Sequence, residues 1–119
     1  MPYKNAVLDD KEIQERLYKI NPKFGEFCVR VAGEAWGLPY LDQKTKALII
    51  IAVDVVNQDQ VSPTSPFAAH VQMAVKEGAT REEIEEVLLL MCVYAGFNKA
   101  AGYFGLLDEV LGPPAAKGT

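Results

Sequence analysis

The stretch Asp42–Asn57, with the sequence DQKTKALIIIAVDVVN, decides the fold class of this protein. Aspartate is a favoured N-cap, and the 15 residues that follow it contain no glycine or proline. The β-branched residues make a buried strand the alternative, but an uninterrupted stretch of this length after a good cap favours a helix. Because the helix is apolar on every side, it must be buried on every side. In a chain of only 119 residues, this suggests that a neighbouring subunit covers part of it.

Caps and helix breakers divide the rest of the chain into further helices, so the sequence predicts an all-α antiparallel bundle of about six helices. The expected N-caps of the other five helices are Asp9, Asn21, Ser65, Thr80 and Asn98, and their expected ends lie near Ile20, Gly37, Gly78, Gly96 and Leu111. Glu12 and Glu83 stand at capping-box spacing from Asp9 and Thr80. We expect one domain over residues 1–112, followed by a flexible tail over residues 113–119.

Composition excludes several classes of protein. The net charge of −4 and the lack of a basic block argue against a nucleic-acid binder. The longest apolar run, Ala47–Val56, has ten residues, whereas a bilayer span needs about 20. The segment Met1–Asn5 contains no hydrophobic signal region, so we expect a cytoplasmic protein.

The two cysteines and the single histidine leave little scope for a metal site. Cys28 and Cys92 are far apart and form no CxxC pair, which argues against a disulfide framework and a zinc site. The acidic residues match no EF-hand pattern, so we predict neither a metal nor a cofactor. A redox role for one cysteine acting alone stays a hypothesis, although no flanking base activates either thiol.

His70 is the first candidate for chemistry. It lies three residues from Phe67 and four from Ala74, at the edge of the apolar face of its helix. Imidazole changes its charge near neutral pH more easily than any other side chain, which suits proton transfer. The alternative is a packed histidine with one backbone hydrogen bond.

Two carboxylates could assist His70. Asp54 is the one charge in the apolar run Ala47–Val56, and burial together with the negative helix end would favour its neutral form, as a general acid or base requires. Alternatively, Asp54 points into solvent or pairs across a subunit interface. Glu34 is the second candidate, and it lies beside the single tryptophan of the chain, Trp36.

Three aromatic residues could line a pocket, namely Trp36, Tyr94 and Phe97. An indole offers a stacking face and one N–H donor, and a tyrosine offers a hydroxyl. The alternative for Trp36 and Tyr94 is plain packing in a helical core.

Several segments together carry a family resemblance. They are Gly33-Glu-Ala-Trp36, Leu41-Asp-Gln-Lys-Thr-Lys46, His70, the segment from Glu77 to Leu88, and Tyr94-Ala-Gly-Phe97. From about residue 33 to residue 111 the chain resembles the carboxymuconolactone decarboxylase family, which shares its fold with the alkylhydroperoxidase D-like proteins. The resemblance implies an all-α subunit that forms a homotrimer or homohexamer, with a pocket near the family histidine and often at a subunit boundary.

The departures from the family pattern restrict the chemistry. The peroxidase branch has a CxxC four residues before its histidine, and here those positions hold Pro63 and Pro66, which excludes that thiol chemistry. The decarboxylase branch usually has a glutamate and an arginine in the turn before the histidine, but Thr64–His70 contains neither. Because arginine is the natural partner of a carboxylate, this absence argues against a dicarboxylated lactone as substrate.

Two functions follow from the sequence. The first is a cofactor-free lyase or isomerase that acts on a small lactone or an aromatic-derived acid. His70 would be its general acid/base, and Asp54 or Glu34 the second acid/base group. The alternative, suggested by the missing glutamate and arginine, is a non-catalytic helical oligomer that binds an apolar ligand or a protein partner.

Overall fold

The computed structural model describes residues 3–57, 62 and 64–114 of the chain. Over these residues the protein forms six α-helices and no strand, which confirms the all-α prediction. The helices are α1 (Lys11–Ile20), α2 (Pro22–Trp36), α3 (Gln43–Asn57), α4 (Pro66–Lys76), α5 (Arg81–Tyr94) and α6 (Phe97–Leu111). None of the described helices is long and apolar enough to cross a bilayer.

Local side-chain chemistry fixes most helix ends where the sequence predicts them. Asn21 accepts hydrogen bonds from the first N–H groups of α2, and Thr80 forms a reciprocal capping box with Glu83 at the start of α5. Gly78, with a φ of +97°, ends the α4 segment in a conformation that side chains other than glycine rarely adopt.

Two helix starts differ from the prediction. Asp10, one residue later than expected, caps α1 by accepting from the backbone N–H groups of Glu12 and Ile13. The residue before α6 is Gly96, with a φ of +123°, so Asn98 lies inside the helix instead of capping it.

The central helix of the core is α3, which packs against α4, α5 and α6. Ala47, Ile51 and Val55 of α3 are fully buried. In the single subunit the burial of α3 does not extend all round, because Ile49 and Val53 on other sides of the helix remain exposed. We call α3–α6 the four-helix core.

Helices α1 and α2 form a closely packed pair, the α1–α2 hairpin. Gly25 makes this packing possible, because a Cβ atom there would lie 2.6 Å from the backbone Cα of Tyr18. Since a backbone atom cannot move aside as a side chain can, the two helices could not approach this closely with any other residue at this position.

Polar contacts connect the segment before α1, and the start of α1, to the four-helix core. Asp10 forms an ion pair with Lys76 of α4 at 2.8 Å. The backbone N–H of Tyr3 donates to the carboxylate of Glu77 at 3.1 Å, and burial raises the pKa of this carboxyl. The backbone N–H of Ala6 donates to Gln43 Oε1 of α3 at 2.7 Å.

The C-terminal boundary of the predicted domain falls close to the end of α6 at Leu111. Residues 115–119 of the predicted tail lie outside the described residues, as do residues 58–61 and 63 of the connection before α4, including Pro63.

Candidate active site

A cleft of about 980 Å³ lies between the α1–α2 hairpin and helices α3 and α4. Its volume is typical of small-molecule sites, and its walls are mostly apolar. The apolar side chains that line it include Ile13, Leu17, Phe24, Ile50, Val53 and Met73. Three of the predicted site residues, His70, Asp54 and Trp36, line it as well.

His70 and Asp54 form a direct side-chain pair in this cleft. The distance between His70 Nδ1 on α4 and Asp54 Oδ2 on α3 is 2.5 Å. The Asp54 side chain is only 6% exposed, whereas the His70 side chain is 27% exposed and can meet a ligand. When the carboxylate is ionised, it accepts the hydrogen bond from Nδ1–H, so the lone pair of the neutral ring is on Nε2.

The core beneath the pair explains why Asp54 points inward. Ala47 and Ile51, which share its side of α3, are fully buried, so the helix turns Asp54 toward α4 instead of solvent. Tyr103 of α6 packs against Phe67 with ring centroids 4.8 Å apart, and its hydroxyl lies 3.5 Å from the backbone oxygen of Asp54. The partner of Asp54 is therefore in its own chain, and the partner of His70 is a carboxylate and not a backbone group.

Trp36 lies at the C-terminal end of α2 with its side chain against the cleft. Its backbone oxygen accepts hydrogen bonds from Gln43 Nε2 and Lys46 Nζ, each at 2.7 Å. These two donors from α3 fix the end of α2, and with it the wall that Trp36 forms.

The other three predicted site residues do not line this cleft in the subunit. Glu34 is exposed on α2, between the buried Gly33 and Trp36, and does not line the cleft. Tyr94 and Phe97 are 80% and 70% exposed at the junction of α5 and α6. The structure thus brings His70, Asp54 and Trp36 together and leaves Glu34, Tyr94 and Phe97 elsewhere on the subunit surface.

Two charged residues that the sequence analysis did not single out also line the cleft: Arg16 of α1 and Glu109 of α6. Arg16 lies three residues after Ile13 and directly before Leu17, at the edge of the apolar stripe of α1. The spacing places Arg16 beside that stripe, but only the tertiary structure shows that the stripe faces His70.

Neither cysteine has a thiol partner. Cys28 lines the cleft and Cys92 is buried in the core, and both are free. Within the part of the chain that the structure describes, no group of three or more histidine, cysteine, aspartate or glutamate side chains could hold a metal ion.

Comparison with known proteins identifies the family. The model of the carboxymuconolactone decarboxylase family matches residues 22–109, about three quarters of the chain. The chain therefore belongs to the carboxymuconolactone decarboxylase family, as its sequence motifs predicted. It is similar to the 4-carboxymuconolactone decarboxylase of Acinetobacter baylyi, with 28% identity over 111 residues that cover 90% of this chain and 80% of the relative. No solved structure matches the chain significantly.

Proposed function

We propose that this protein is a cofactor-free lyase that removes carbon dioxide from a small lactone or an aromatic-derived acid, with His70 as the general acid. The observation that carries the proposal is the 2.5 Å contact between His70 Nδ1 and Asp54 Oδ2 in a mostly apolar cleft. A buried carboxylate on Nδ1 fixes the orientation of the ring, so Nε2 is the nitrogen that can meet a substrate.

The proposed step needs one proton and no external electrons. The bond between the substrate carbon and its carboxylate breaks, carbon dioxide leaves, and the electron pair stays on the carbon, where the conjugated carbonyl system delocalises it. His70 Nε2–H then protonates this carbon and the ring becomes neutral, after which solvent returns the proton to His70. An isomerisation would use the same pair in the other order, with neutral His70 first removing a proton and then returning it.

The apolar walls support this step. Side chains such as Ile50 and Met73 give the cleft that holds His70 an apolar lining. Proton transfer to the substrate carbon is then controlled by the imidazole, and the charged pair acts in a medium where its effect is stronger than in water.

The test is release of carbon dioxide from 4-carboxymuconolactone and from lactones with a single carboxylate, measured for the wild type and for His70→Gln. Because positioned general acids contribute about 10²- to 10⁴-fold, the variant should lose at least about a hundredfold in kcat. Val75→Gln is the matched control, since Val75 is an exposed residue of the same helix that does not line the cleft.

Two results would contradict the lyase proposal. One is a folded His70→Gln variant that keeps wild-type kcat. The other is a wild-type protein that binds these lactones but neither decarboxylates nor isomerises them, which would favour the alternative of a non-catalytic binding protein.

We also propose that the subunit assembles with copies of itself, as a trimer or a hexamer built from trimers. The support is an exposed apolar surface on α5 and the start of α6, formed by Leu89, Leu90, Val93, Tyr94 and Phe97. Their spacing places them on one side of the α5–α6 junction, and contiguous apolar surfaces of this kind are typical of protein interfaces. In such an assembly Tyr94 and Phe97 would be covered by a neighbouring copy.

A further inference from the structure

We propose that Arg16 of α1 binds a carboxylate of the substrate in this cleft. The inference rests on the proposed function only in taking the bound carboxylate to be that of the substrate. The turn Thr64–His70 contains no lysine or arginine, and Arg16 lines the same cleft from another helix.

The position of Arg16 carries the first step of the argument. It lines the same cleft as His70 and Asp54, and it lies on α1 beside Ile13 and Leu17, which line the cleft too. Among the described residues that form this lining, Arg16 is the only lysine or arginine. Its planar guanidinium can donate two parallel hydrogen bonds to one carboxylate, which neither a lysine nor a backbone group can match.

Arg16 is also available to a ligand. Its partner in the subunit is Glu12, one turn earlier on the same helix, with 3.0 Å between Arg16 Nη2 and Glu12 Oε1. Both side chains are more than half exposed, and exposed pairs at this spacing contribute little to stability. A substrate carboxylate held between Arg16 and the apolar walls can therefore replace Glu12 at small cost.

The ionisable residues of the cleft show which group can meet a ligand carboxylate. Apart from His70, the ionisable residues that line the described cleft are Arg16, Cys28 and the two acids Asp54 and Glu109. Asp54 already engages His70. A carboxylate that enters the cleft therefore meets one permanent cation, Arg16.

The matched region of the family begins at residue 22, after the end of α1 at Ile20. Arg16 thus belongs to a part of the chain outside the family match, whereas Asp54 and His70 lie inside it. The proton-transfer pair and the carboxylate-binding residue therefore come from different parts of the chain.

The experiment measures equilibrium binding of two probes that differ in charge, γ-carboxy-γ-butyrolactone and its uncharged methyl ester. Trp36, the one tryptophan of the chain, lines the cleft, so its fluorescence reports occupancy. Isothermal titration calorimetry on the same solutions gives Kd without relying on Trp36. The proteins are the wild type, Arg16→Gln and the control Arg30→Gln.

Arg30 is a close match for Arg16 because its side chain is also 59% exposed and pairs with a glutamate one turn earlier, Glu26, at 3.2 Å. Unlike Arg16, it does not line the cleft. Loss of a hydrogen-bonded charge should weaken binding of the carboxylate to Arg16→Gln by about tenfold to a hundredfold. Binding of the ester should stay the same, and Arg30→Gln should bind both probes as the wild type does.

Three results would overturn the proposal: a wild type that binds the carboxylate no better than the ester, an Arg16→Gln variant with unchanged Kd for the carboxylate, or an equal loss in Arg30→Gln. Because these are binding measurements, they do not depend on turnover. If Arg16→Gln loses the carboxylate but no decarboxylation is found, the lyase proposal fails and the role of Arg16 in binding stands.

Discussion

Asp10 joins α1 to α4 through its two carboxylate oxygens: Oδ1 caps α1, and Oδ2 lies 2.8 Å from Lys76 Nζ. The Asp10 side chain is almost fully buried, so the ion pair replaces the water that the carboxylate loses on folding. The hydrogen bond from Lys76 to Asp10 raises the pKa of the lysine, although partial burial acts in the opposite direction.

We predict that Lys76→Met destabilises the protein by about 3 kcal/mol near neutral pH, since it leaves the buried carboxylate of Asp10 without its cation. The expected value is at the lower end for buried pairs because Lys76 is partly exposed. Urea unfolding followed by circular dichroism measures the effect. The exposed Lys23→Met is the control and should cost less than about 0.5 kcal/mol.

The ion pair between Asp10 and Lys76 also makes the stability of the protein depend on pH. Because the pKa of Lys76 is raised in the folded state, its stabilising contribution is complete below the pKa of an unfolded lysine and is lost as the pH rises through the folded value. The difference in unfolding free energy between the wild type and Lys76→Met should therefore shrink in strongly alkaline solution. A difference that stays constant there would show that the ion pair is not its source.

We predict that Asp54→Asn lowers kcat by about a hundredfold or more while the protein stays folded. The amide keeps the shape of the carboxylate but removes the charge that stabilises protonated His70, and its NH₂ group can impose the wrong ring tautomer. Steady-state kinetics with the lactone substrate measure the loss. Asp108→Asn is the control, since Asp108 pairs with Arg81 at 3.0 Å and does not line the cleft. A near-normal kcat in Asp54→Asn would mean that His70 does not need its carboxylate partner.

The carboxylate of Glu83 leads to a prediction about the stability of the protein in acid. Its carboxylate lies 2.7 Å from Lys44 Nζ, and hydrogen bonds from Lys44 and the backbone N–H of Thr80 lower its pKa. A lowered pKa means that the stabilisation is present above the pKa of an unfolded glutamate and is lost as the pH falls through the folded value.

In Glu83→Gln the capping box keeps an acceptor but loses its charge. We expect the wild type to be more stable than this variant near neutral pH and the two to converge as the pH falls through the folded pKa of Glu83, as measured by their urea midpoints. Glu82→Gln, a change in the same exposed first turn, should show no such convergence. Parallel curves for the wild type and Glu83→Gln would contradict the prediction.

The proposed assembly is tested on Val93, which is 67% exposed in the subunit. Light scattering during gel filtration should give three or six times the chain mass for the wild type and a smaller mass for Val93→Asp, because a charge in an apolar interface has no partner there. Leu38→Asp, at an exposed leucine in the connection between α2 and α3, should keep the wild-type mass. A monomeric wild type, or an unchanged mass for Val93→Asp, would remove the basis for this interface.

The helices could be predicted from the sequence because their ends depend on neighbouring residues. The residues that end or begin helices act through contacts within four residues, as do Asn21, Gly78 and the capping box of Thr80 with Glu83. Sequence spacing alone therefore predicts where the helices begin and end. The predicted cap of α1, Asp9, was wrong by one residue. Both Asp9 and Asp10 have a side chain that can cap a helix, and only the tertiary ion pair with Lys76 distinguishes Asp10.

The site was less predictable because its residues meet through the packing of different helices. The sequence singles out His70 and Asp54 as unusual residues in apolar helices but does not show that α3 and α4 bring them within 2.5 Å. Tyr94 lies on an apolar helix face, as a core residue would. The hydrophobic pattern alone does not show whether such a face packs against its own subunit or stays exposed on the surface. The position of Arg16 could not be predicted, because its spacing on α1 does not show that this side of the helix lines the same cleft as His70.

Gly25 has a consequence for substrate size. It does not line the cleft, but the contact that its missing side chain allows with Tyr18 fixes the distance between α1 and α2. Any larger residue at this position would push α1 and α2 apart. The cleft wall formed by α1, which carries Arg16, would then move relative to the wall formed by α4, which carries His70. The width of the cleft mouth is therefore set by a position outside it, and substitutions at Gly25 would change which substrates enter without altering a single group that touches them.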